Sequence, residues 1–189
     1  HGWHHIQFVN KKAIEFATEL NCDVEKSAAA ALIHDLNYIF SDKLEPEVAR
    51  KQQLEYLLAA GYDQEFADSL VNLIENCHTE YRGSRELSDE SKALSDADTL
   101  FKMLPTTPIL FASKFMSQTK YSIEKWTKKI LDEQIPLLES GKIFYTDLAR
   151  NKYGSWAILN IEFVKLVSES LTDPDIKEML QTASNLGVL

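Results

Sequence analysis

His34 and Asp35 stand side by side at the end of Ala28-Ala-Ala-Ala-Leu-Ile33, a run of small and apolar residues. A helix of that composition is apolar on every side and is expected to lie inside the protein. An imidazole and a carboxylate at the end of a buried helix are costly unless something satisfies them. A divalent cation does so, because neutral imidazole and carboxylate are both ligands for first-row metals. Two neighbouring residues supply only two ligands. The chain offers others on or beside faces that should be buried: His5 near its start, and Asp96 or Asp98 further on. Two imidazoles with two carboxylates would neutralise a divalent cation and leave positions open for water or a substrate oxygen.

The elements that must carry these residues all read as helices. Ile6, Val9, Ala13, Phe16, Ala17 and Leu20 repeat at three and four, with His5 one turn before Val9. Asn21-Cys-Asp interrupts that helix, and Asp23 can cap the next, which ends in His34 and Asp35. Pro46 falls in the first turn of a third helix, stopped by Gly61. Asp63 caps a fourth that runs to Cys77 and His78. Thr79 to Leu87 reads as a loop containing Arg82, Gly83 and Arg85.

Ser88 and Asp89 open a fifth helix, with Ala93, Leu94, Ala97, Leu100, Phe101 and Leu104 as its core stripe. Asp96 and Asp98 flank the centre of that stripe, at about 100° per residue, so periodicity does not choose between them. Pro105 and Pro108 bracket a break. Helices are expected to resume over 109–118, over 123–138 with Pro136 kinking or ending it, and over 147–171 behind the cap Thr146. Asp173-Pro174 restarts a last short helix. With no internal repeat and no strand pattern, the fold class is all-α. We expect one domain over 1–189, in which 1–104 carries the metal site and 105–189 packs on it.

Composition narrows the function. At 189 residues, 44% hydrophobic and 26% charged, the chain can bury a sizeable core. Its formal net charge of −9 argues against long nucleic acid and anionic membrane surfaces, since both need clustered Lys and Arg. A small phosphorylated molecule remains possible, because a metal could offset its charge. Cys22 and Cys77 suit a reduced, cytoplasmic protein better than a disulfide scaffold. No apolar run approaches a membrane span and no signal peptide is visible. The chain opens on His1 without Met, so the natural N-terminus is expected upstream.

His5-Ile-Gln-Phe-Val9, then Ala31-Leu-Ile-His34-Asp35, then Leu94-Ser-Asp-Ala-Asp-Thr-Leu100 follow one another on successive helices. This order of His, His-Asp and Asp resembles the HD-domain superfamily of metal-dependent phosphohydrolases. The opening His1-Gly-Trp-His-His5 is similar to the start of small bacterial members, and Phe144-Tyr-Thr-Asp-Leu-Ala-Arg150 to a segment near their C-terminus. The resemblance implies an HD-domain-like helical bundle holding one divalent metal ion (Mn, Fe, Co, Ni or Zn). It implies His5, His34, Asp35 and Asp98 as ligands, placing the ligand on the second aspartate. Asp96 or Asp98 would orient water, while His78 and Arg82 would receive the phosphate. His1 and His4 match no ligand position.

One departure bears on chemistry. Guanosine-pyrophosphate hydrolases of the superfamily carry two acids shortly after His-Asp, and its deoxynucleotidases a Glu three residues on. Here Tyr38 and Ile39 follow instead, which leaves Asp42, Glu80 or Asp96 as substitute acids. The leading expectation is a metal-dependent phosphohydrolase of phosphatase or nucleotidase type acting on a small phosphorylated metabolite, a nucleotide foremost. It would act as a monomer or homodimer. A non-catalytic nucleotide-sensing HD module is the alternative. A di-iron oxygenase on the same scaffold is a further one and would enlist His78 as a ligand.

Overall fold

The computed structural model describes residues 2–36, 46–78, 82–84 and 86–188. His1, Tyr38, Ile39, Asp42, Glu80 and Arg85, singled out in the sequence, lie outside the described residues. Every regular element among those described is helical: α1 (Trp3–Leu20), α2 (Val24–Ile33), α3 (Pro46–Ala59), α4 (Gln64–Cys77), α5 (Asp89–Met103), α6 (Thr106–Thr119), α7 (Ile123–Glu139), α8 (Asp147–Ser170) and α9 (Pro174–Asn185). The all-α expectation is met. Two compact units divide the chain, His1–Lys102 with Phe144–Tyr153, and Met103–Ile143 with Gly154–Leu189. The segment Phe144–Tyr153, read from sequence as part of the C-terminal helices, belongs to the first.

In the first unit α1 buries Val9, Ala13, Phe16 and Ala17 completely, the three-and-four stripe of its sequence. It ends at Asn21, whose φ of 53° is left-handed and whose amide closes on Ala17 and Thr18; asparagine is one of the few residues that adopts this conformation at modest cost. Asp23 then caps α2 by accepting from the Lys26 amide at 2.9 Å. The alanines of α2 let α1 approach closely, and Asn10 Nδ2 donates to the Ala28 carbonyl at 2.9 Å. However, α2 is not enclosed. Ala30 and Ala31 are fully buried while Leu32 is 46% exposed. Small side chains serve one close contact here, rather than burial all round.

Asp63 caps α4 through the Phe66 amide at 2.8 Å, and α4 presents Ala67, Leu70, Val71, Leu73, Ile74 and Cys77 to the core. Arg50 ties α3 to α4 by pairing with Glu75 at 2.8 Å and Asp68 at 3.3 Å. On α5, Ala93, Leu94, Ala97 and Leu100 are fully buried. Thr146 caps α8, its Oγ1 accepting from the Ala149 amide at 3.1 Å. Beside it, Tyr153 accepts from Lys12 Nζ at 2.7 Å, and Lys152 reaches Glu15 at 2.7 Å. These two contacts fasten the start of α8 to α1.

In the second unit Ser122 caps α7 and Asp173 caps α9. Ala157, Ile161 and Val164 form the buried stripe of the α8 portion. Pro108 does not mark a break as expected. It is the third residue of α6, where the ring is tolerated because first-turn amides have no intrahelical partner. Pro136 likewise lies inside α7, which continues to Glu139. No helix among the described residues is long and apolar enough to cross a membrane.

The two cysteines are both free, Cys77 buried and Cys22 half-buried. Burial first, and the neighbouring Asp98 second, push the Cys77 thiol far up, and its Sγ donates to the Ile74 carbonyl at 3.1 Å. Thiolate is the reactive species. A chromogenic disulfide reagent is therefore expected to titrate Cys22 alone in the native protein, and Cys77 only after guanidinium is added.

Candidate metal centre

His5 projects from the first turns of α1 and is 3% exposed. The ring of Phe101 on α5 stands edge-on to it, centroids 4.6 Å apart at 78°, which restricts how the imidazole can turn. His34 is the residue that closes α2. Its Nδ1 lies 2.8 Å from the Ala31 carbonyl. A carbonyl only accepts, so Nδ1 carries the hydrogen and neutral His34 presents a bare Nε2 lone pair to the interior. Asp35 follows directly and is 8% exposed. Three groups from two helix ends thus meet, and the ligand atoms of His5, His34 and Asp35 all lie within 4.8 Å of one another.

The distances describe the edges of a coordination shell. His5 Nε2 is 3.2 Å from His34 Nε2 and 3.0 Å from Asp35 Oδ2. His34 Nε2 is 3.5 Å from the same carboxylate oxygen. Asp98 on α5 adds a fourth donor, its Oδ1 3.5 Å from His5 Nε2 and 3.9 Å from His34 Nε2. With metal–ligand bonds of about 2.1 Å, neighbouring donors sit about 3.0 Å apart in an octahedron and about 3.4 Å apart in a tetrahedron. Lone pairs this close repel unless a cation or an added proton lies among them. Two carboxylates and two neutral imidazoles sum to the charge that a divalent ion cancels. The residues present fit a metal.

Asp98 differs from the other three. Its Oδ2 turns to Lys102 Nζ at 2.7 Å, one turn further along α5. Burial pushes its carboxyl up, but the Lys102 ammonium, with help from His34 and His5, outweighs burial and holds it below its ordinary value. Lys102 moves upward in turn: partial loss of solvent opposes its charge, and the Asp98 carboxylate beside it more than restores it.

Asp96 and Arg82, expected at the reaction centre, are instead bonded to each other. Asp96 is fully buried and accepts from Arg82 Nη1 at 2.9 Å, from the Tyr145 amide at 2.9 Å and from the Thr146 amide at 2.7 Å. Arg82 Nη2 donates to Ser95 Oγ at 2.6 Å and Thr99 Oγ1 at 2.9 Å. Its guanidinium lies over the Tyr145 ring, 4.5 Å from the centroid. Residues two apart on a helix face in opposing directions, so α5 points Asp98 at the histidines and Asp96 at Arg82. His78 follows α4 as its half-buried cap and is not one of the three grouped residues.

The HD-domain family model matches residues 2–103, more than half of the chain. The chain belongs to the HD-domain family. HD domains bind divalent metals and are typically metal-dependent phosphohydrolases. Among solved structures this HD domain is similar to Bacillus subtilis YpgQ, with 21% identity over 89% of this chain and 88% of that one and a TM-score of 0.64. It is similar to a Lactobacillus plantarum protein, with 20% identity over 91% and 88% and a TM-score of 0.72. YpgQ has also been solved in complex with ADP, and that structure matches with 21% identity over 90% of each chain and a TM-score of 0.62. No curated protein sequence matches the chain.

Sequence reasoning about this HD domain passed over Lys102, although its spacing of four from Asp98 was a readable signal. It also had no means of pairing Arg82 with Asp96. Breaking that pair leaves an uncompensated buried charge. We expect Arg82→Ala to destabilise the protein by about 3–5 kcal/mol and Arg82→Lys to recover only part, since lysine lacks the planar fork. Chemical denaturation read by circular dichroism checks both.

Proposed function

We propose that this HD domain is a metal-dependent phosphohydrolase acting on a small phosphorylated metabolite, a nucleotide foremost. The observation that carries the reading is the approach of His5, His34, Asp35 and Asp98, from three helices, to within hydrogen-bond distance or little more. In this reading those four residues hold one divalent ion, and manganese, iron, cobalt, nickel and zinc all accept such donors. When bound, the ion supplies Lewis acidity toward water and a phosphoryl oxygen.

The protein's own contribution is positional. The Ala31 carbonyl keeps His34 in the tautomer that offers Nε2, and Phe101 holds His5 in place. Asp98 commits one oxygen to the centre and the other to Lys102. Burial of His5, His34 and Asp35 excludes bulk water, which strengthens each electrostatic interaction there. Asp96 and Arg82 act through position, fixing the rotation of α5 from which Asp98 projects. The nucleotide preference draws on the ADP complex of YpgQ, a protein of similar fold.

A second reading, a nucleotide-sensing module without turnover, is favoured by one observation: Tyr38 stands where hydrolases of the superfamily carry an acid. A di-iron centre would need His78, the half-buried cap of α4, as a further ligand.

Elemental analysis of protein purified without added metal is expected to find one ion per chain, and His34→Ala and Asp98→Ala to lose it. Losing an outer-shell partner typically costs about 10–100-fold in metal affinity or activity, so losing a ligand should cost more. Metal at 100 times its Kd should stabilise the fold by about 2.7 kcal/mol, readable as a rise in Tm absent from His34→Ala. A screen of nucleoside mono-, di- and triphosphates for phosphate release separates the two readings. Stoichiometric metal without release from any of them supports the sensor.

A further inference from the structure

A helix that is apolar on one side needs one neighbour, and a helix apolar on two sides needs cover on both. In the second unit α8 is of the latter kind. Its inner stripe, Ala157, Ile161 and Val164, is buried. On its outward side Leu159 is 59% exposed, Phe163 40% and Leu166 62%. Single exposed hydrophobic residues are ordinary on a protein surface. These three are not scattered. They follow at steps of four and three, the spacing with which one helix offers a seam to another.

The flank of that seam carries charge in a definite order. At about 100° per residue, Leu159, Phe163 and Leu166 fall within about 60° of one another, and Glu162 and Lys165 follow on one side, at about 100° and 160° from Phe163. Both charged residues are exposed. Elsewhere opposite charges one turn apart pair along their own helix, as Lys92 does with Asp89 and Lys128 with Asp132. Glu162 and Lys165 are also one turn apart, yet neither forms an ion pair among the described residues.

We propose that this face of α8 is the interface between two copies of the chain, packed α8 against α8, antiparallel, about a two-fold axis at Phe163. In such an interface residue i of one copy meets residue j of the other, and j meets i. With Phe163 on the axis, Leu159 comes level with Leu166 of the second copy to within one residue, a rise of about 1.5 Å. Glu162 comes level with Lys165 of the second copy to the same tolerance. Each match occurs twice. An antiparallel two-fold brings the same flank of both helices together, so the charged side of the seam meets its own copy with opposite signs facing. A parallel pair would set Glu162 against Glu162 and Lys165 against Lys165. The occupant that answers both the seam and the charges is the chain itself.

Exposed ion pairs contribute little singly. Here the axis repeats the pair, and reversing one charge turns both attractions into repulsions. Sedimentation velocity at low salt compares the full chain with Phe163→Gln, Glu162→Lys, Lys165→Glu and the double exchange of Glu162→Lys with Lys165→Glu. Wild-type protein is expected to dimerise with a Kd on the order of micromolar. Phe163→Gln should weaken the dimer about 30-fold or more. Each single reversal should weaken it about tenfold, and the double exchange should return it to within about threefold of wild type. In about 1 M salt the effect of the single reversals should shrink, because exposed charges are then screened. Circular dichroism is expected to show the same helix content in every variant, since all three side chains are exposed.

Wild-type protein that stays monomeric at about 100 µM overturns the proposal and leaves the face to an unlike partner. A dimer that survives Phe163→Gln unchanged overturns it too, as does a double exchange no stronger than the single reversals. None of these outcomes touches the metal-centre reading, whose four residues lie in the first unit.

Discussion

Lone pairs of like sign gathered in one buried place repel one another, and that repulsion is the constraint around which the first unit of this HD domain is arranged. His5 Nε2, His34 Nε2, Asp35 Oδ2 and Asp98 Oδ1 stand 3.0–3.9 Å apart in the pairs that can be measured from the imidazoles. Without a cation or an added proton among them, such donors repel one another. The cluster persists because each donor is attached to an element whose position is settled by other contacts: α1 by its apolar stripe, the end of α2 by its alanines against α1, and α5 by Asp96. In the proposed reading a bound cation would release the repulsion, so affinity for metal would in part be stored by the packing of helices that never touch it.

The division of labour on α5 is the clearest instance. Asp96 and Asp98 are separated by one alanine, and both are carboxylates on a helix rim. One is consumed by a guanidinium and two backbone amides. The other is left with an oxygen for the centre. A buried carboxylate with this many donors is an anchor, and it fixes the rotation of the helix that carries Asp98.

Much of this was legible in residue order alone. Helix starts were readable because Asp23, Asp63 and Thr146 act on amides two or three residues away, a range within which the sequence is its own environment. The set His5, His34, Asp35 and Asp98 was readable through the likeness of its spacing to a known pattern, and the family match bears out the recognition itself. What was not legible depended on distance. Arg82 lies 14 residues from Asp96, and the Tyr145 and Thr146 amides lie 49 and 50 residues away; no periodicity connects them. Polar type alone could not separate a residue that does chemistry from one that neutralises a buried charge. Leu32 and Pro108 misled for a local reason. Apolar composition states what a helix can bury, not how much is covered, and proline breaks a helix only where an amide is needed.

The amides that close on Asp96 also impose an order on synthesis. Residues 2–103, which the family pattern spans, leave the ribosome before Phe144–Tyr153, with a carboxylate whose Arg82 partner is present but whose Tyr145 and Thr146 donors are not. Some forty further residues must be translated before the core of the metal-binding unit can shut. Until then the nascent helices carry an acidic group that water must keep solvated, and water must keep its place in what later becomes the interior. The late return of the chain at Phe144–Tyr153 thus acts as a latch, delaying final closure of the unit until the intervening helices have been made.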